Sequence, residues 1–301
     1  HERIIHKGTA GRGIPFIPWR LSIISRPLNG RAACHYCGQC NRSCATHSNF
    51  STPSVLLPPA LATGNLTIVT EAMAREILVR DGKVRAVAYV DKATGEEREV
   101  RARSVVVAAS ACESARLLLN SRSGAFPQGL ANSSGVVGRY LMDTTGYSMG
   151  GFFPQLLDQA SYNSDGVGGA HLYVPWWLDN RKLDFPRGYH IEMWGGRGMP
   201  SYGFMSDIHR LNRFIQGRST GGGYGRQLKE DYRRLYGSVV GFSGRGEGIA
   251  HYTNYCEIDP AKVDEWGIPT LRFHYKWGDE EYNQVRHMQQ TFNTLITELG
   301  G

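Results

Sequence analysis

Residues 66–102 alternate apolar and polar positions with the period of a half-buried strand. Leu66–Thr70 is predicted as one strand and 74–80 as the next, ended by Asp81-Gly82, a two-residue hairpin turn. Residues 84–90 return with alternating sides, 92–95 turn again, and 96–102 give a third, charged antiparallel strand. Ser104–Ala109 is then a continuous apolar run, the pattern of a fully buried parallel strand, and it leads into a Leu/Ala-rich helix over 113–120. Residues 146–255 differ in kind: aromatic clusters such as Phe152-Phe153, Trp176-Trp177 and Tyr189 to Trp194 stand among glycines, which predicts an antiparallel sheet with long loops. Residues 218–225, rich in glycine, read as a surface loop or lid. Near the end, Tyr282, Val285, Met288, Phe292, Leu295, Ile296 and Leu299 recur at helical spacing and predict a core-facing helix over 280–299. Before residue 60 there is no clean period; Ile14-Pro15-Phe16-Ile17-Pro18 must be extended, and 54–62 is a short apolar helix or turn.

Composition narrows the class. A chain of 301 residues suggests about two domains. With 41% hydrophobic and 20% charged residues it is globular rather than disordered. No apolar run reaches the roughly 18 residues of a membrane span, so no transmembrane segment is expected. The net charge of +7 is spread out, with no basic run and no nucleic-acid motif; an anionic cofactor or acidic partner accounts for it, and nucleic acid is not expected. The chain opens at His1 without Met or a leader and closes at Gly301 directly after a helical pattern, so a fragment of a longer protein is expected.

Four of six cysteines fall within eleven residues: Cys34, Cys37, Cys40 and Cys44, spaced C-x2-C-x2-C-x3-C. That is the spacing of ferredoxin-type loops, in which thiolates wrap a cluster and a glycine, here Gly38, allows the tight turn. A [4Fe-4S] or [3Fe-4S] cluster, zinc, and structural or disulfide-paired cysteines are the competing readings; Ala45 stands where ferredoxins carry proline. Cys112 and Cys256 read as ordinary core residues.

No G-x-G-x-x-G loop with a strand before it and a helix after it is present, and no G-x-S-x-G, P-loop or H-E-x-x-H. Four segments together resemble the glucose–methanol–choline (GMC) oxidoreductases: Ala62–Thr70 with 72–77, Val105–Ser121, Gly129–Asp143, and Asn254–Pro260 running to Pro269. The resemblance covers nearly all of this chain but only the middle of the family's usual length. It implies an α/β (mixed α+β) fold: an FAD-binding domain of the two-dinucleotide type, with a substrate domain built on an antiparallel sheet. The expected division is an N-terminal segment with the cysteine loop (1–61), part of the FAD-binding domain (62–145), a substrate domain (146–275), and a helix (276–301) leading to a catalytic segment beyond Gly301.

By the same resemblance the catalytic His lies beyond Gly301, so no catalytic residue is assigned in this chain. The cofactor-binding candidates are Ala74, whose backbone matches the family's adenine contact, the small-residue turn Ala108-Ala109-Ser110, where Ser110 replaces the commoner glycine, and Glu113 and Ser114 opening the next helix; a helix-capping role for Ser110 or Glu113 is the alternative. The implied activity is FAD-dependent oxidation of an alcohol or sugar hydroxyl. The cysteine loop looks like that of a sugar or glucoside dehydrogenase branch, in which an iron–sulfur centre relays electrons to a cytochrome acceptor and a small subunit accompanies the flavoprotein. That branch implies a periplasmic location, or membrane association through a partner. Trp176, Trp177 and Trp194 are candidates for a sugar-stacking face, with burial in the core as the alternative. A non-catalytic electron-transfer or binding module with a structural cysteine loop is the competing function.

Overall fold

The computed structural model describes residues 2–10, 13–40, 42–159, 171–175, 180–194, 207–216 and 224–301. Along the chain run α1 (Glu2–Thr9), β1 (Ile17–Pro18), α2 (Leu57–Ala62), β2 (Ala72–Arg80), β3 (Lys83–Asp91), β4 (Glu97–Arg101) and α3 (Ser110–Asn120). Then follow β5 (Thr145–Phe152), β6 (Leu172–Val174), β7 (Tyr189–Trp194), α4 (Asp207–Gln216), α5 (Gly225–Leu235) and β8 (Val239–Gly246). The hairpin β9 (Tyr255–Val263) and β10 (Pro269–His274) and the long helix α6 (Asp279–Glu298) complete the order. These form two compact units, one of His1–Thr63, Thr144–Glu247 and Asp279–Gly301, the other of Gly64–Asp143 and Gly248–Gly278. Residues 248–278, which the sequence pattern places with the substrate portion, pack with 64–143.

The larger unit is organised by an antiparallel five-stranded sheet in the order β1-β6-β7-β8-β5. Side chains alternate between its faces. Leu172, Met193, Phe242 and Met149 form one cross-strand row, and Val174, Ile191, Gly244 and Tyr147 the next, all on the face that joins the main hydrophobic core. Helix α6 covers that face with Met288, Phe292 and Leu295. Its approach is close enough that a Cβ on Gly244 would meet Met288 Sδ at 2.8 Å and Phe292 Cζ at 3.1 Å. The buried stripe of α6 begins with polar Glu281 and Gln284 rather than Tyr282, which is 50% exposed. The reason is local: Gln284 meets the Thr145 hydroxyl and donates to the Gly188 carbonyl at the sheet's edge, a role no apolar side chain fills.

In the smaller unit the meander β2-β3-β4 forms as its alternation predicts. Asp81 (φ +53°) and Gly82 (φ +68°) both take left-handed backbone, the geometry of a type I′ hairpin turn matching strand twist. Two expectations are corrected. Leu66–Thr70 is not in a strand. The apolar run Val105–Ala109 pairs with no strand among the described residues, and Val106 is 88% exposed. A parallel strand needs neighbours to satisfy its backbone and bury both faces; every strand pair described here is antiparallel. The helix after it starts three residues earlier than the pattern suggests, at Ser110. The fold is mixed α/β with antiparallel sheets. No described helix is long and apolar enough to cross a membrane.

Candidate functional site

Three clusters carry chemistry. The first is the turn into α3. Ala108, Ala109 and Ser110 are exposed, and Ser110 holds φ +65°, the left-handed region that favours glycine. No side chain caps the helix, which leaves first-turn amides without a side-chain partner; it opens on the small residues Ala109, Ser110 and Ala111, with Glu113 the acidic residue of the first turn. Ser114 is turned back to accept the Ala109 N–H at 3.1 Å, which fixes the turn from inside the helix. Glu113 pairs with Arg116 at 3.3 Å and so is tied along the helix rather than capping it. Arg116 also donates to Asp264 at 2.6 Å and to the Ile268 and Pro269 carbonyls, clamping α3 to the β9–β10 hairpin. Asp264 is held below the usual carboxylate range: burial opposes its charge, but the Ile268 amide and Arg116 outweigh it. Ala74 lies exposed on β2 beside a register shift, while Ile77 further along donates its N–H to Ser121 at the far end of α3. Small side chains, left-handed backbone and uncapped helix amides fit the approach of an anionic dinucleotide. Cys112 and Cys256 both lie in this unit; burial pushes the Cys256 thiol up, and the neighbouring Cys112 adds to it.

The second cluster is the cysteine loop. Cys34, Cys37, Cys40 and Cys44 line one cavity of about 430 Å³ together with His35, Thr46 and Ser48. Gly38 (φ +69°) supplies the expected tight turn, and Tyr36 (φ +57°) donates its N–H to Cys34 Sγ at 3.3 Å. None of the six cysteines is disulfide-bonded. The thiols line the cavity, and among the described residues no group of three His, Cys, Asp or Glu side chains is placed to hold a metal ion. Cys44 is held instead by its neighbours: the Asn49 amide and the Thr46 and Ser48 hydroxyls, both at 3.6 Å, bring its thiol down to about 6.

The third cluster has no contiguous sequence motif and is not foreseen from the sequence. On the sheet face opposite α6, the register aligns Tyr173, Glu192, Ser243 and Ser148 across four strands, with His190 and Arg245 in the adjacent row. Glu192 is only 6% exposed. One of its oxygens meets His190 Nε2 at 3.0 Å, and the other lies 3.6 Å from Arg245 Nε. The Ser148 and Ser243 hydroxyls bond at 3.0 Å. Trp19 packs edge-on to Tyr173 at 4.8 Å and to His190 at 6.2 Å. Trp194 is on this face and 45% exposed; Trp176 and Trp177, the other stacking candidates, lie outside the described residues, as do 218–223 of the glycine-rich stretch. The alternation His190-Ile191-Glu192-Met193-Trp194 was the available signal, but only strand register brings Arg245 and Ser243 beside Glu192.

A family model described as GMC oxidoreductase matches residues 3–145. The chain is 43% identical over 240 residues to a C-glycoside 3-oxidase of Microbacterium trichothecenolyticum, covering 78% of this chain and 39% of that protein. It is 29% identical over 258 residues to a 2-methyl-1,2-propanediol dehydrogenase of Mycolicibacterium austroafricanum, covering 85% and 44%. Among solved structures, pyridoxine 4-oxidase from Mesorbium loti aligns over 97% of this chain and 50% of its own, with a TM-score of 0.54 at 15% identity, a likeness of fold. With the α3 turn and the two-sided antiparallel sheet in place, the chain belongs to the GMC oxidoreductase family. It spans less than half the length of the two curated relatives.

Proposed function

We propose that the protein is an FAD-dependent oxidoreductase that oxidises a hydroxyl of an alcohol or sugar. The observation that carries this reading is the α3 turn, where Ala108-Ala109-Ser110 opens a helix with uncapped amides. The names of the two relatives, a C-glycoside oxidase and a diol dehydrogenase, support the substrate class. Bound FAD supplies the two-electron acceptor for a hydride from the carbinol carbon. This chain's own contribution is to hold the cofactor: the turn lets the backbone come close, the helix amides face the anion, and the Arg116 clamp keeps that geometry fixed. In protein produced from its complete gene, flavin absorbance is expected to co-elute on gel filtration, and Ala109→Arg is expected to abolish it. A long charged side chain on this exposed turn would take the space that the cofactor needs. Unchanged flavin content in Ala109→Arg overturns the assignment.

The proposal extends to the cysteine loop, read as a site for a thiolate-held centre, an iron–sulfur cluster in preference to zinc. Its support is the shared cavity lined by four unbridged cysteines. A cluster would supply one-electron capacity beside a two-electron flavin. Analysis of anaerobically purified protein is expected to find iron with acid-labile sulfide; zinc alone, or no metal, rejects the cluster.

A further inference from the structure

Charge is divided unevenly along the three-stranded meander of the smaller unit. Away from its hairpin turn the arginines are paired: Arg75 with Glu76 at 3.1 Å and with Glu97, and Arg98 with Asp91 and Glu96, both at 3.3 Å. At the Asp81-Gly82 end Arg80, Lys83, Arg85, Arg101 and Arg103 gather, all of them exposed. Among the described residues one ion pair is found there, Arg85 with Asp81 at 3.9 Å, and with the Asp81 side chain 92% exposed it is worth little. Arg80 and Lys83 stand directly opposite each other in the β2–β3 register, where like charges destabilise a strand pair. Charges on an edge strand such as β4 keep other strands from pairing with it, but Glu97 and Arg98 show that either sign serves that purpose. Edge protection does not account for a single sign. Where β3 begins and β4 ends lies an open cavity of about 820 Å³. Lys83, Val84, Arg85, Arg101, Ala102 and Arg103 line it, four cations with no acid and no aromatic ring.

We infer that this cavity binds a multiply charged phosphate chain, with Lys83, Arg85, Arg101 and Arg103 donating to its oxygens. A bound polyanion removes the like-charge repulsion that the folded hairpin end otherwise carries. The planar guanidinium fork bonds two phosphate oxygens at once, and the lysine adds a mobile point charge. A chain of two or three phosphates is long enough to meet cations from both strand ends, whereas a single orthophosphate meets only some of them. With no aromatic side chain in the lining, a nucleotide base has nothing to stack on, so the phosphate chain itself is what is read, free or borne on a nucleotide. No residue of the α3 turn lines the cavity, so the site is separate from the proposed flavin site and does not rest on that reading.

The test is calorimetric titration of protein produced from its complete gene, carrying whatever flavin it holds, with inorganic tripolyphosphate, orthophosphate and ATP at matched ionic strength. Tripolyphosphate is expected to bind saturably, about tenfold or more tighter than orthophosphate, and to weaken as salt is raised. ATP is expected to bind within about threefold of tripolyphosphate, since the cavity gives its base no partner. Arg101→Ala combined with Arg103→Ala is expected to weaken tripolyphosphate by about tenfold or more, with flavin content and thermal midpoint as in the wild type. Both side chains are exposed, so folding does not depend on them. Arg98→Ala, which removes a paired cation from the same strand, is expected to bind as the wild type does. No saturable binding of tripolyphosphate overturns the inference, as does wild-type affinity in the double variant. A loss in Arg98→Ala as large as in the double variant overturns it in favour of net charge alone, and ATP binding far tighter than tripolyphosphate places the site elsewhere.

Discussion

Ser110 holds a φ of +65° at the opening of α3, where a side chain crowds the following carbonyl. Its hydroxymethyl group is small enough to be kept there, and a β-branched group is not. Ser110→Val is expected to be about 1–2 kcal/mol less stable than Ser110→Gly, read from urea denaturation midpoints; equal midpoints would show that the left-handed turn is not held in solution. At this scale the sequence was partly legible. Ala108 to Ser114 stand out as candidates because they are contiguous, and a run of small residues before a helix leaves its mark in linear order. The four cysteines stand out for the same reason, but their spacing did not say that they would line one cavity unbridged, with the Thr46 and Ser48 hydroxyls 3.6 Å from the Cys44 sulfur. Glu192 could not be found. Its partner Arg245 is 53 positions away and meets it only through strand pairing.

Strand β8 shows how one element serves two faces. Gly244 lies under α6, with Met288 and Phe292 within 3.1 Å of where its Cβ would be, whereas Gly241 on the other face has open space above it. Gly244→Val is therefore expected to destabilise by about 1–3 kcal/mol through overpacking, while Gly241→Ala stays within about 0.5 kcal/mol of wild type. Parallel thermal melts check both, and similar losses would mean that α6 does not press on β8 as described. Elements whose pattern is local were legible: the Asp81-Gly82 hairpin and the helix over 280–299 both appear. The run Val105–Ala109 was misread because apolar character tells how a strand is buried only when neighbours exist to bury it. The Tyr282 side of α6 was misread because polar Gln284 is needed at Thr145 and Gly188.

For the molecule as a whole, the pH response should be governed partly by the seam between α6 and the sheet. His287 accepts from or donates to the Tyr189 hydroxyl at 2.9 Å and packs against Phe185. Burial pulls the imidazole below its ordinary value, with Asp184 opposing, and burial pushes Tyr189 up to about 12, so the tyrosine keeps its proton. A histidine that prefers to be neutral when folded binds fewer protons folded than unfolded. Stability is therefore fully present above the unfolded value of about 6.5 and is lost as the pH falls below it. Denaturation midpoints are expected to decline from pH 7 towards pH 5, and His287→Asn, which can still bond to Tyr189, should flatten that slope. An unchanged slope in His287→Asn would assign the decline to other groups.

The larger unit is assembled from three stretches of chain with the smaller unit's segments between them, and the contact of Thr145 with Gln284 joins residues 139 positions apart. During synthesis at about 5–20 residues per second, the apolar face of β5 waits on the order of 10 s after leaving the ribosome before the helix that covers it has been made. In that interval Tyr147 and Met149 have no partner on α6. The nascent chain is thus prone to wrong association between the emergence of β5 and that of α6, and α6 acts as the step that ends the hazard.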